Sequence, residues 1–164
     1  MKLKEDDSII RALRNCPLFT GFGRSELRSV LSIAHIRDYS DGEIIFSEGN
    51  LGLCFYIIVK GTAEIAAVSK SGNNGTLMKR VYTDGSYFSE THLFTESSHS
   101  VSCTAKEVTK LIIFAKPDLE DLIKIKPRLG NKVLLKFLEF LSEQLNSLYK
   151  ENLQLLQKIP EGSI

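Results

Sequence analysis

Glu90, His92 and His99 put one carboxylate and two imidazoles into a ten-residue stretch, and the chain holds only three histidines in all. Residues of these types move protons or ligate metals. The H-x-H spacing that commonly presents two imidazoles to one ion is absent, so metal binding is not expected. Nucleophilic catalysis is not expected either. There is no G-x-S-x-G elbow, and no Ser or Cys comes with a locally signalled base. Walker and dinucleotide glycine patterns are also missing. The chain is therefore expected to be neither an enzyme nor dependent on a cofactor.

Composition narrows the class further. The 164 residues are 43% apolar and 25% charged with a net charge of +1, values suited to a globular domain with its own core. Lys and Arg are scattered among acids, so no phosphate-backbone footprint for nucleic acid is visible. Cys16, Cys54 and Cys103 are widely spaced without a C-x-x-C pair, and are expected to be reduced, buried side chains. The opening MKLKEDDSII is too acidic for a secretory leader, and no run approaches the about 18 apolar residues of a membrane span. A cytoplasmic protein without membrane contact is expected.

The elements that would position these side chains follow from periodicity. Ile9, Ile10 and Leu13 predict a helix over Ser8–Asn15, ended by Pro17. Leu27, Val30, Leu31 and Ala34 predict a second over Arg24–His35. Glycine-punctuated runs rich in β-branched and aromatic residues then predict strands at Glu43–Phe46, Phe55–Val59, Ala63–Val68, Leu77–Tyr82, Val101–Ala105 and Thr109–Phe114, with Ser71–Gly75 as a hairpin loop. Many short strands with glycine turns suggest an antiparallel sandwich or roll. Pro117 and the acids after it mark a helix start, Pro127 breaks that run, and a long helix is predicted over Leu129–Lys158.

The glycine order Asp41-Gly-Glu-Ile-Ile-Phe-Ser-Glu-Gly49, Gly52-Leu-Cys-Phe-Tyr-Ile-Ile-Val-Lys-Gly61 and Gly85-Ser-Tyr-Phe-Ser-Glu90 resembles the cyclic nucleotide-binding domain family, over about residues 8 to 150. The resemblance implies an α+β, mainly β fold. It consists of an antiparallel β-roll or jelly roll with N-terminal helices, a short cassette helix and a long C-terminal helix. It also implies a phosphate-binding cassette, in which the family's glutamate holds the ribose 2′-hydroxyl and an arginine neutralises the phosphate. Carried onto this chain, the ligand-binding positions are Phe88, Ser89, Glu90, Thr91, His92, His99 and Ser100. Phe88, Glu90 and Leu93 match the family.

Two positions depart from it. Ser89 replaces a glycine, so the cassette backbone is expected to differ slightly where glycine-only angles are needed. His99 stands in place of the arginine, and an imidazole of ordinary pKa about 6.5 is mostly neutral near pH 7. Cyclic AMP and cyclic GMP are therefore expected to bind weakly or not at all. Outside the family reading, Glu90 would be a helix-capping carboxylate and His99 an exposed loop residue. His92 is expected to point outward, the alternative being a plug in the pocket.

Leu134, Leu138, Leu141, Leu145 and Leu148, continued by Asn152 and Leu155, form a heptad seam that predicts homodimerisation through the last helix. Val133, Phe137 and Phe140 would face the chain's own roll. The organisation expected is residues 1–127 as helices plus roll, 128–159 as the dimerisation and output helix, and 160–164 as a tail. With no helix-turn-helix after the long helix, direct DNA binding is not expected, and output would pass to a protein partner. The function expected is a dimeric regulatory module sensing a cyclic nucleotide or related small anion. One alternative is a protein-interaction scaffold with a degenerate pocket; a more distant one is a metal-binding cupin-like protein.

Overall fold

The computed structural model describes residues 2–68, 75–95 and 97–157. Helices α1 (Lys2–Asn15) and α2 (Arg24–Leu31) precede strands β1 (His35–Tyr39), β2 (Ile44–Phe46), β3 (Cys54–Lys60), β4 (Ala63–Val68), β5 (Thr76–Tyr82) and β6 (Tyr87–Phe88). A 3-10 turn (Glu90–Leu93), β7 (Ser102–Ala105), β8 (Thr109–Ala115), α3 (Lys116–Ile125) and α4 (Pro127–Leu156) complete the order. The strands form two antiparallel four-stranded sheets, ordered β1-β8-β3-β6 and β2-β7-β4-β5.

Alternation along β3 and β8 divides the core in two. Phe55, Ile57, Ile112 and Phe114 face the helices, packing with Leu13, Leu27, Val133 and Phe137. Tyr56, Ile58 and Leu111 face the second sheet, packing with Phe46, Ile65, Phe88 and Cys103. Because both faces of these strands are covered, they read as near-continuous apolar runs. Gly61 closes the turn after β3 with φ +105°, and a Cβ there would lie 2.6 Å from Thr109 Oγ1. Only glycine fits that turn.

Several boundaries differ from the sequence reading. The predicted helix to His35 stops at Leu31, because Ile33 and Ala34 tighten into bonds with the carbonyls of Val30 and Leu31. His35 and Ile36 instead pair with Ile113 and Ile112 of β8. Strands β1 and β6 were not predicted; their side chains are mixed or few, and long-range pairing makes them. Helix α1 extends upstream to Lys2, and α4 begins at Pro127. Positions 71–74 of the predicted hairpin loop, Lys158 and the 160–164 tail lie outside the described residues.

The front of α4 is clamped to the N-terminal helices. Lys132 Nζ donates to both Glu26 carboxylate oxygens, at 2.9 and 2.7 Å, and to the Gly21 carbonyl at 3.0 Å, and sits 4.5 Å from the Phe22 ring centroid. Val133, Phe137 and Phe140 are buried against the core, as their spacing implied. Beyond Leu141 the described α4 residues stand exposed.

Candidate functional site

The cassette is pinned at both ends by apolar side chains. Phe88 is buried between the sheets, its ring stacked on Tyr56 at 5.1 Å with an interplanar angle of 12°. Leu93 is buried in the helix-facing core. Between these anchors the chain must reverse, and Ser89 does so at φ 67°, ψ 20°. It is the one non-glycine residue with positive φ among those described. Serine thus adopts here the left-handed conformation that favours glycine, at a cost of roughly 1–2 kcal/mol.

Opposite, residues 97–99 run beside 49–52. Gly49 N donates to the His99 carbonyl (2.8 Å), His99 N to the Asn50 carbonyl (2.8 Å) and Gly52 N to the Ser97 carbonyl (3.0 Å). These bonds turn His99 inward, where it is 4% exposed and lies flat on Phe46. The reading of His99 as an exposed loop residue is thereby overturned. Among the described residues its Nδ1 has no hydrogen-bond partner, and neither does the buried Ser89 Oγ. Burial, reinforced by the nearby His92, lowers the His99 pKa to about 4, leaving the ring neutral at physiological pH.

His92 is also turned inward, contrary to the expectation of an outward side chain. Its ring lies 4.4 Å from that of His99, and its Nδ1 is 3.3 Å from Thr91 Oγ1. A Cβ on Gly52 would approach within 2.7 Å of His92 Cδ2, so the missing side chain at Gly52 makes room for the ring. Phe46, His99 and His92 thus form a column of three rings along one side of the cassette.

A cavity of about 140 Å³ is bounded by Phe46, Ile65, Tyr82, Ser89, Glu90, Thr91, His92, His99 and Val101. No Lys or Arg is among them. A second cavity of about 280 Å³, bounded by Arg80, Tyr82, Ser86, Tyr87, Glu90, Phe140 and Gln144, shares Tyr82 and Glu90 with the first. Burial raises the Glu90 pKa, opposed by its own backbone hydrogen bond and by the His92 and Arg80 charges. Ser89, Glu90, Thr91, His92 and His99 are thus brought together. Phe88 supports the cassette from the core, and Ser100 is exposed outside both walls.

Sequence reasoning missed Phe46, Arg80, Tyr82 and Gln144. Arg80 and Tyr82 stand two apart on β5 and so share one face, a signal that was readable; that α4 folds back over that face was not. A separate cleft of about 440 Å³ between α1 and α2, lined by Arg11, Arg14 and Arg24 among others, has no unpartnered buried polar side chain facing it among the described residues. No cluster of three or more His, Cys, Asp or Glu fit to hold a metal occurs among the described residues.

On α4, Leu138, Leu145, Leu148 and Leu155 are between 51% and 62% exposed, and Asn152 lies with them on the exposed part of the helix. Leu134 and Leu141 are half-buried, Leu141 against the chain's own core. The upper seam therefore serves intramolecular packing in part. No described helix is long and apolar enough to cross a membrane.

A family model described as the cyclic nucleotide-binding domain matches residues 36–126. The Cyclic AMP receptor protein of Thermus thermophilus is 29% identical over 121 residues, 74% of this chain and 55% of its own length. The cAMP-dependent protein kinase regulatory subunit of Mycosarcoma maydis is 30% identical over 99 residues, 59% of this chain and 18% of that subunit. The chain thus spans little more than half of the first relative and under a fifth of the second. In structure, the Thermus thermophilus Catabolite Activator Protein superposes with a TM-score of 0.71 and 30% identity, over 86% of this chain and 63% of that one.

Proposed function

The chain belongs to the cyclic nucleotide-binding domain family, and we propose that it is a regulatory sensing module rather than an enzyme, admitting a cyclic nucleotide or related small anion weakly. The observation that carries this reading is that Ser89 and His99, each with a buried polar atom (Oγ and Nδ1) unpartnered among the described residues, line one cavity with no Lys or Arg in its wall. Buried polar groups are normally satisfied, so two orphans in one wall suit a ligand that accepts hydrogen bonds from them. A neutral imidazole and a hydroxyl offer a phosphate two donors but no charge, where a guanidinium would add a charge-assisted fork. Affinity then falls by about tenfold for each 1.4 kcal/mol so lost.

Signalling runs through α4. Phe140 and Gln144 of that helix bound the second cavity, so an occupant touches the output element directly. A ligand that prefers one placement of α4 shifts its population in proportion to that preference. The exposed leucines of α4 then present the change to a second copy of the chain and to a protein partner, in the cytoplasm and without direct DNA contact. Metal and cofactor have no part in this reading.

The column of His92, His99 and Phe46 favours a second reading, a scaffold whose phosphate seat is filled by its own side chains. Thermal melting against a panel of cyclic mono- and dinucleotides separates the two. The sensor gains up to about 2.7 kcal/mol at a ligand concentration 100 times its dissociation constant. A melting temperature unmoved across the panel at millimolar ligand makes the protein a scaffold.

A further inference from the structure

The N-terminal helices gather three arginines whose charges the described residues leave unpaired. Asp7, Ile10, Arg11 and Arg14 recur at helical spacing along one face of α1. With Ser8 and Arg24, the first residue of α2, they line the cleft of about 440 Å³ between the two helices. Arg11, Arg14 and Arg24 are exposed, and among the described residues no hydrogen bond or ion pair holds their guanidinium groups. Cations elsewhere are engaged: Arg37 pairs with Glu43 at 2.6 Å, Lys79 with Glu64 at 2.6 Å and Lys132 with Glu26 at 2.7 Å. Asp7 is the one acid in the cleft wall, so three arginines against one aspartate leave a surplus of two positive charges.

The fold does not require these arginines. Ile9, Ala12, Leu13 and Cys16 of α1 and Leu27 and Val30 of α2 are buried, so the core already sets the walls of the cleft. Arg14 suits the last turn of α1, but Arg24 opens α2, where the positive end of the helix dipole disfavours a cation. A single small anion gains little from exposed, screened guanidinium groups. Several carboxylates on one chain gain together, because the first to pair holds the others near the remaining arginines at high effective concentration. Ile10 offers an apolar contact to a peptide side chain, and Asp7 opposes a continuous run of phosphates. We propose that this cleft docks an acidic segment of a partner protein, whose carboxylates pair with Arg11, Arg14 and Arg24. Its walls are preformed, so docking orders little beyond the arginine side chains. The surface is separate from the cassette and stands whether or not the pocket takes a nucleotide.

Fluorescence anisotropy on the full chain tests this with a short labelled peptide alternating glutamate with leucine, its glutamine counterpart, and a single-stranded oligonucleotide. The glutamate peptide should bind, more weakly as salt rises, and at least about tenfold more tightly than the glutamine peptide. Arg11→Gln, Arg14→Gln and Arg24→Gln combined should lower that affinity at least about tenfold, and each alone about two- to fivefold. Arg128→Gln, which removes an exposed arginine of α4, should leave it within about twofold. Arg11→Glu, Arg14→Glu and Arg24→Glu together should reverse the preference toward a lysine–leucine peptide, an outcome that loss of fold cannot produce. Absence of glutamate-peptide binding at low ionic strength, undiminished binding by the combined glutamine variant, or an equal loss in Arg128→Gln overturns the proposal. An oligonucleotide held more tightly than the peptide by the same arginines overturns it too, and makes the face a nucleic-acid site. None of these readouts touches the cassette, so the sensing function is judged apart.

Discussion

The His99 ring lies flat against Phe46, with centroids 3.8 Å apart and planes 12° apart. This contact covers one face of a neutral imidazole, and the His92 ring lies 4.4 Å from it, tilted by 38°. The buried Nδ1 of His99 has no hydrogen-bond partner among the described residues. The cavity beside it is bounded by polar side chains but by no Lys or Arg.

Acid should unfold this protein through His99. In the folded chain the ring holds its proton only below about pH 4, whereas an unfolded histidine does so below about 6.5. Between those values only the unfolded state gains the proton, so this contribution is complete above pH 6.5 and lost as pH falls toward 4. The loss amounts to at most about 3 kcal/mol. Urea melts of wild type and His99→Gln from pH 7 to 4.5 should show a flatter acid limb in the variant; parallel curves refute the assignment.

Replacing His99 by arginine restores a charged fork at the cassette. Cyclic nucleotide affinity should rise about tenfold or more, read by calorimetry at pH 7.5. An unchanged affinity means that the phosphate does not face this residue.

Ser89 is a serine in left-handed backbone. Ser89→Gly removes that strain and should stabilise by roughly 1 kcal/mol, raising the melting temperature by about 2–4 °C. A lower melting temperature would mean that the buried hydroxyl contributes more than the backbone costs.

Gly52→Ala sets a methyl group 2.7 Å from His92 Cδ2. Overpacking of this kind costs about 1–3 kcal/mol. Combining it with His92→Ala should recover most of that loss, and a double-mutant cycle reads the coupling directly. Additive effects would show that the two residues do not meet.

Sedimentation should find a dimer that Leu145→Glu with Leu148→Glu converts to a monomer of unchanged helicity, because these leucines are exposed and bear no part of the intramolecular core. A monomeric wild type refutes the paired α4. Leu141→Glu should unfold the chain as well, since Leu141 packs on the core of its own roll.

Much of the architecture could be read locally. Apolar runs bounded by glycine mark β3, β4 and β8, and the proline pair Pro117 and Pro127 marks the starts of α3 and α4. These signals are legible because turns and helix starts depend on backbone angles that few residue types permit. The predicted helix across His35 failed because β8 offers His35 and Ile36 hydrogen-bond partners 76 or more residues away in sequence. No local pattern encodes that pairing, and β6, two residues long, exists only because β3 lies beside it.

The sequence by itself marked β2, β3, β4, β5, β7 and β8 and the four helices, and placed Glu90, His92 and His99 in one short stretch, since each is a matter of residue type and short-range spacing. Only the tertiary structure decided the state and surroundings of those groups. Proton affinity follows burial, so the neutrality of His99 came with its place on Phe46. The inward turn of His92 came with the space above Gly52, and the company of Arg80 with Glu90 and Gln144 came when β5, the cassette and α4 closed on one cavity. Chemistry at a site depends on distances between residues remote in sequence, and those distances exist only in the folded chain.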